Sequence, residues 1–165
     1  MIRIATEEDA VSIISLQKSV LEEDDFLVTT LEEFQITVEE EKEWIAARLE
    51  NERETFLIAE VDGELVGMLV FQSPARIRLS HTGTFGMMVD KRFRGQGIGT
   101  AFIEELLIWA KQNPHIQKVS LSVFSTNEPA IALYKKMGFT EEGRKVNEYK
   151  VKDYFVDDIL MYQFV

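Results

Sequence analysis

The sequence predicts an α/β (α+β) fold: a mixed, mostly antiparallel twisted sheet of about seven strands flanked by four helices, in the order βααβββαβαββ. Three kinds of observation lead there. Apolar residues alternate with polar ones over short stretches, as at Val119, Leu121 and Val123. Elsewhere they recur at helical spacing, as at Ala130, Leu133, Tyr134 and Met137. Turn signals such as Asp62-Gly63 and Asn113-Pro114 separate the two kinds of stretch.

In chain order, Ile2 to Ile4 reads as a short first strand. Thr6 with Asp9 resembles a capping pair, and Ala10, Ile13, Leu16 and Val20 then predict a helix to about Leu21. The charge run Glu22 to Asp25 breaks that pattern, and Phe26 to Thr37 reads as irregular or partly helical. Glu39 to Glu50 is a second helix with Trp44, Ile45 and Leu49 on its buried side. Thr55 to Val61 and Glu64 to Phe71 form a hairpin about Asp62-Gly63. After a loop from Ser73 to Ser80, His81 to Asp90 is another strand. Ile98 to Gln112 is a helix with Ile98, Phe102, Leu106 and Trp109 on one side, stopped by Asn113-Pro114. A strand around Val119 to Val123 follows. Asn127 and Pro129 then open a helix that Gly138 closes. Phe139 to Lys150 and Asp158 to Phe164 are the last two strands.

The 165 residues carry no linker, repeat or low-complexity tract, so the expected organisation is one domain over residues 1–165. With 45% hydrophobic residues the chain can bury a core. There is no cysteine, which excludes a thiolate nucleophile, and His81 and His115 alone do not make a metal site, so no metal is expected. The net charge of −11 argues against nucleic acid as a partner. No apolar run approaches the length of a membrane span and the first ten residues lack a signal-peptide core; a cytoplasmic protein is expected.

One segment carries chemistry. MMVDKRFRGQGIGTAFIEELLIWA places Gly95, Gly97 and Gly99 between a strand and a strongly amphipathic helix, beside Arg92 and Arg94. Closely spaced glycines admit a ligand to the backbone amides, and a helix start offers unpaired N–H groups with partial positive charge. Together they form an anion cradle. A Walker loop would need Gly-Lys-Ser/Thr, and a dinucleotide fingerprint would space its glycines as GxGxxG; this chain has neither.

RGQGIG, from Arg94 to Gly99, resembles the acetyl-CoA loop of the GCN5-related N-acetyltransferase (GNAT) family, and NEPAIALYKKMGF, from Asn127 to Phe139, resembles that family's second signature. The element order agrees along nearly the whole chain. The resemblance implies an acyltransferase with acetyl-CoA as co-substrate and an amine, cationic in one reading, as acceptor; a homodimer is compatible with it. It implies that amides from Gly95 through Gln96, Gly97, Ile98, Gly99 and Thr100 hold the pyrophosphate, with Arg94 beside them. It implies that the backbone of Met87 and Val89 pairs with the pantetheine arm, on a strand bulged near Gly86 and splayed from its neighbour. Asn127 would touch the pantetheine or order its helix, and Tyr134 would sit near the sulfur.

The reaction so implied is direct attack of a neutral amine on a thioester. An alkyl amine has a pKa of about 10.4, so it must lose a proton first. The Val89 amide is the expected oxyanion donor and Tyr134 the expected acid for the thiolate. The segment Thr82 to Val89, TGTFGMMV, has no glutamate, where relatives often place a base. His81, Glu148, Asp157, Asp158 or water stay open for that role. The competing expectation is a catalytically weak acyl-CoA-binding module, and a third is a protein for a different phosphate ligand.

Overall fold

A computed structural model describes all 165 residues. The strands are β1 (Ile2–Ile4), β2 (Thr55–Val61), β3 (Glu64–Gln72), β4 (Thr82–Val89), β5 (Lys118–Phe124), β6 (Thr140–Val151) and β7 (Tyr154–Phe164). The helices are α1 (Ala10–Leu21), α2 (Val38–Glu50), α3 (Ile98–Gln112) and α4 (Glu128–Lys136). The expected order βααβββαβαββ is the observed one. The strands form one seven-stranded sheet in the order β1-β2-β3-β4-β5-β7-β6. Every pairing is antiparallel except β4 with β5.

Period-2 alternation explains how helices cover both faces. Phe56 and Ile58 of β2 pack with Ala10, Ile13 and Leu16 of α1 and Ile45 of α2. Leu57 and Ala59, pointing the other way, pack with Phe102, Ile103 and Leu106 of α3. A fully buried side chain such as Phe102 contributes about 2–3 kcal/mol of apolar burial.

The cleft follows from two registers. β4 stays paired with β3 from Gln72↔Thr84 through to Gly67↔Val89. With β5 it pairs only at Thr82↔Lys118, Gly83↔Val119 and Thr84↔Ser120. β5 then follows β7, from Lys118↔Phe164 to Phe124↔Asp158. Two neighbouring strands held by different partners part at their far ends. At the closed end Gly83 is required for space: a Cβ there would lie 2.1 Å from the Phe71 ring.

Three expectations are corrected. β4 carries no bulge at Gly86, because its ladder to β3 is unbroken; the irregularities lie in β2 at Ala59/Glu60 and in β6. Leu49 is exposed and Trp44 half-buried, while Glu41 takes a fully buried position beside Ile45. The third position before Trp44 faces the core, and the charge of the EEEKE run hid it. The last strand begins at Tyr154 rather than Asp158, because a tight turn at Lys152 (φ 53) returns the chain at once. Phe26–Thr37 is irregular with no helix, the first of the two outcomes expected there.

Candidate active site

The turn between β4 and α3 is built from its ends inward. The Asp90 carboxylate accepts from the Arg92 N–H at 2.8 Å and so caps a single 3-10 turn, Lys91–Phe93. Gly95 (φ +74) and Gly97 (φ +85) then take left-handed conformations that reverse the chain into α3. A Cβ at either would meet nothing within 4 Å, so their open sides face space rather than protein. The Ala101 N–H donates to Gly97 O at 3.0 Å, which leaves the first N–H groups of α3, at Ile98, Gly99 and Thr100, without intrahelical acceptors.

Those groups open into a cleft of about 840 Å³. Met87 and Val89 of β4, Arg94, Gly95, Gly97, Ile98, Gly99 and Thr100 of the turn, and Asn127 and Tyr134 of α4 all line it. Gln96 does not; its side-chain amide donates to Arg92 O at 3.2 Å. The remaining wall comes from the α1–α2 segment, including Leu27 and Val28, from Ser122 and Phe124 of β5, and from Tyr149 of β6.

Backbone alternation supplies the cleft's donors. The Asp90 N–H donates to Val66 O at 2.8 Å, which makes Asp90 and Val66 a hydrogen-bonded pair. In an antiparallel ladder such pairs alternate with open ones, so the peptide groups of Val89 and Met87 turn away from β3. They turn toward the side that β5 has left. The Val89 carbonyl there accepts from Arg94 Nε at 2.9 Å.

The arginines are less free than their spacing implies. Both terminal nitrogens of Arg94 reach Glu23, at 2.7 Å each. Arg92 is held by Asp90 at 2.8 Å and by Glu64. The expectation that both add charge to the loop is therefore corrected: Arg92 is spent on two carboxylates, and its hydrogen bonds hold Asp90 below the usual carboxylate range.

Tyr134 lies 7% exposed between Phe85 and Phe139, with edge-to-face ring separations of 5.8 and 6.2 Å. Burial pushes its hydroxyl up to about 12. The Asn127 side chain accepts from the Ala130 N–H at 3.3 Å, the ordinary N-cap bond. Gly99 is needed for closeness, since a Cβ would stand 3.0 Å from Leu133 Cδ2.

Of the four side chains open to the role of base, His81 is exposed just before β4, on the order of 25 Å along the strand from Val89, and is no part of the cleft. Asp157 binds the Asn147 N–H at 2.8 Å and Arg144 at 3.2 Å, and does not line the cleft. Glu148 lines a second, smaller cavity, and Asp158 is buried and lines neither. The sequence reading did not single out Ser122, Phe124 or Tyr149, and it saw Glu23 only as part of an acidic run. The one usable signal was Tyr149, the lone aromatic of TEEGRKVNEYKV. No group of three or more His, Cys, Asp or Glu is arranged to hold a metal ion, and no helix is long and apolar enough to cross a membrane.

A glycine-turned helix start at the mouth of two parting strands is a site for an anionic ligand that reaches into the sheet. A family model, the acetyltransferase (GNAT) family, matches residues 20–139, and the chain belongs to that family of acetyl-CoA-dependent acyltransferases. The L-amino acid N-acetyltransferase AaaT of Escherichia coli is 38% identical over 87 residues, which are 53% of this chain and 54% of that protein; the match spans about half of that relative's length. An N-alpha-acetyltransferase of Sulfolobus acidocaldarius is 31% identical over 150 residues, 85% of this chain and 79% of that one. The crystal structure of a GNAT-family acetyltransferase from Streptococcus pneumoniae superposes with a TM-score of 0.96 at 26% identity, covering 100% of this chain and 99% of that one.

Proposed function

We propose that residues 1–165 form one N-acetyltransferase domain that moves the acetyl group of acetyl-CoA to a primary amine by direct attack. The observation that carries this reading is the parting of β4 from β5 with the start of α3 at its mouth. The N–H groups from Gly95 to Thr100 hold the pyrophosphate, with Arg94 beside them. Met87 and Val89 pair with the pantetheine arm as an added strand would. The Val89 N–H donates to the oxyanion, and Arg94 bonds the carbonyl of the same residue, on the next peptide.

Tyr134 serves as a fixed donor rather than a full acid. At about 12 its hydroxyl stays protonated. Complete transfer to a thiolate of pKa about 8.5 would run uphill by roughly 5 kcal/mol. It therefore stabilises the departing sulfur by a hydrogen bond, and water supplies the proton.

The test is a thermal-shift series with CoA, ATP and NAD on the wild type and Gly97→Glu, followed by thiol release with a panel of amines. CoA alone should stabilise the wild type, by about 2.7 kcal/mol at a hundredfold excess over Kd. Gly97→Glu should lose that shift, since a negative side chain would enter the cradle from a left-handed backbone. An unchanged CoA shift in the variant defeats the reading, and CoA binding without thiol release to any amine reduces the protein to a binding module.

A further inference from the structure

Three glycines lie inside β3 and β4, and two of them make room for protein. A Cβ at Gly83 would stand 2.1 Å from the Phe71 ring, and one at Gly67 would stand 2.9 Å from the Phe102 ring. Gly86 has no such reason. A Cβ there would meet nothing within 4 Å, its φ is not left-handed, and the ladder to β3 runs through Gly86↔Val70 without a bulge. A glycine inside a strand weakens it. Where no turn, bulge or neighbour demands one, the remaining reason is the close approach of a ligand.

Strand alternation decides which side that ligand takes. Gly86 shares a face with Met88 of β4 and, across the ladder, with Val70. Met68 and Val70 pack toward α1 on that face. Phe85, which points the other way, packs against Tyr134. The notch at Gly86 therefore opens on the face of the sheet opposite Tyr134, in the part of the cleft walled by the α1–α2 segment. Met68, Val70 and Met88 line that part from the sheet, Leu27 and Val28 from the segment, and Phe124 from β5. Only two carboxylates line the cleft. Glu23 is already held by both terminal nitrogens of Arg94, at 2.7 Å each, and Asp25 is exposed to solvent.

We propose that Gly86 opens an apolar acceptor subsite, and that the amine this protein acetylates carries a neutral, apolar group beside its nitrogen; this deepens the acetyl-transfer reading and rests on it. With the thioester laid along Met87 and Val89, the acceptor sits over Gly86 and approaches from the side away from Tyr134. Its apolar group leaves water for Met68, Val70 and Met88, which favours binding. The further ammonium groups of a polyamine would lose water against the same side chains with no buried carboxylate free to receive them. An apolar amino acid, or a peptide that begins with one, supplies the chemistry the subsite fits.

The test compares L-leucinamide with glycinamide, which share the amine and the amide and differ only in side chain, beside L-leucine, leucyl-glycine and spermidine. Thiol release from acetyl-CoA is measured for the wild type and Gly86→Val. The wild type should favour L-leucinamide over glycinamide by about tenfold to a hundredfold in kcat/KM. Gly86→Val should lose about tenfold more kcat/KM with L-leucinamide than with glycinamide, and its thermal shift with CoA should match the wild type. L-leucine and leucyl-glycine separate a free amino acid from a peptide N-terminus as the source, and a rate above that of spermidine with either supports the proposal. Equal losses with the two amides, a weakened CoA shift in the variant, or spermidine outpacing every leucine compound overturns it. A readout without any acceptor comes from Gly86→Ala, which should raise the urea midpoint of the free protein. A lowered midpoint would show that packing demands the glycine, and overturns the proposal as well. A wild type that shows no CoA shift, or no thiol release with any amine, defeats the acetyl-transfer reading itself and this proposal with it.

Discussion

Arg94 joins three parts of the chain with one guanidinium. It bonds Glu23 after α1 and the Val89 carbonyl at the end of β4, and it begins the glycine turn itself. Its place in the motif was readable in the sequence; Glu23, some seventy residues away, was not, because only folding brings the two together. Tyr134 is the reverse case, since LYKKMGF marked it and its depth in the aromatic cluster then decided its chemistry. A phenol held at about 12 can donate but not readily dissociate. Tyr134→Phe should therefore lower kcat by about tenfold to a hundredfold, the loss of a donor in the transition state, with CoA affinity retained in calorimetry. Equal turnover would remove Tyr134 from the mechanism.

Element boundaries were legible wherever a cap or turn residue wrote them. α3 was expected at Ile98 to Gln112 and is found there, because glycines precede it and Asn-Pro follows. α4 begins at Glu128 behind the Asn127 cap, with Pro129 in its first turn. Asn127→Ala should cost about 1 kcal/mol, measured as a lower midpoint in urea with an unchanged m-value. A larger rise in the KM for acetyl-CoA than that cost allows would show that Asn127 also touches the co-substrate. Where no such residue marks the boundary, the reading failed. Nothing in VKDYFVDD separates turn from strand until β7 pairs back on β6. That β4 keeps one neighbour and loses the other is not written in TGTFGMMV itself; the family resemblance implied the splay, and the registers show it.

At the scale of the molecule, the buried Glu41 makes stability depend on pH. It is 1% exposed, and burial pushes its carboxyl up to about 7 from a usual 4.5. Between those values the unfolded chain holds fewer protons at this site than the folded one. Stability therefore falls as pH rises through that window and levels off above about pH 7. The shift corresponds to a loss on the order of 3 kcal/mol. Glu41→Gln removes the titration, so the variant should melt above the wild type at mildly alkaline pH and close to it near pH 4.5. Parallel melting curves at both pH values would show that Glu41 ionises freely in the fold. Asp9, Asp90 and Asp157 act in the opposite sense: hydrogen bonds hold them low, so their contribution is lost as pH falls through their folded values.

By itself the sequence determined what depends on near neighbours along the chain: the order of strands and helices, the glycine turn before α3, the Asn127 cap and the two motifs that mark the family. Each is a matter of spacing over a few residues, where backbone geometry leaves few choices. Only the tertiary structure decided what depends on strand pairing and burial. It set which peptide groups of β4 face the cleft, which carboxylate holds each arginine, and why Glu41 and Asp158 sit where water does not reach. Those outcomes are set by partners brought from distant parts of the chain, whose effect on a charge or a donor exists only once the sheet has closed around it.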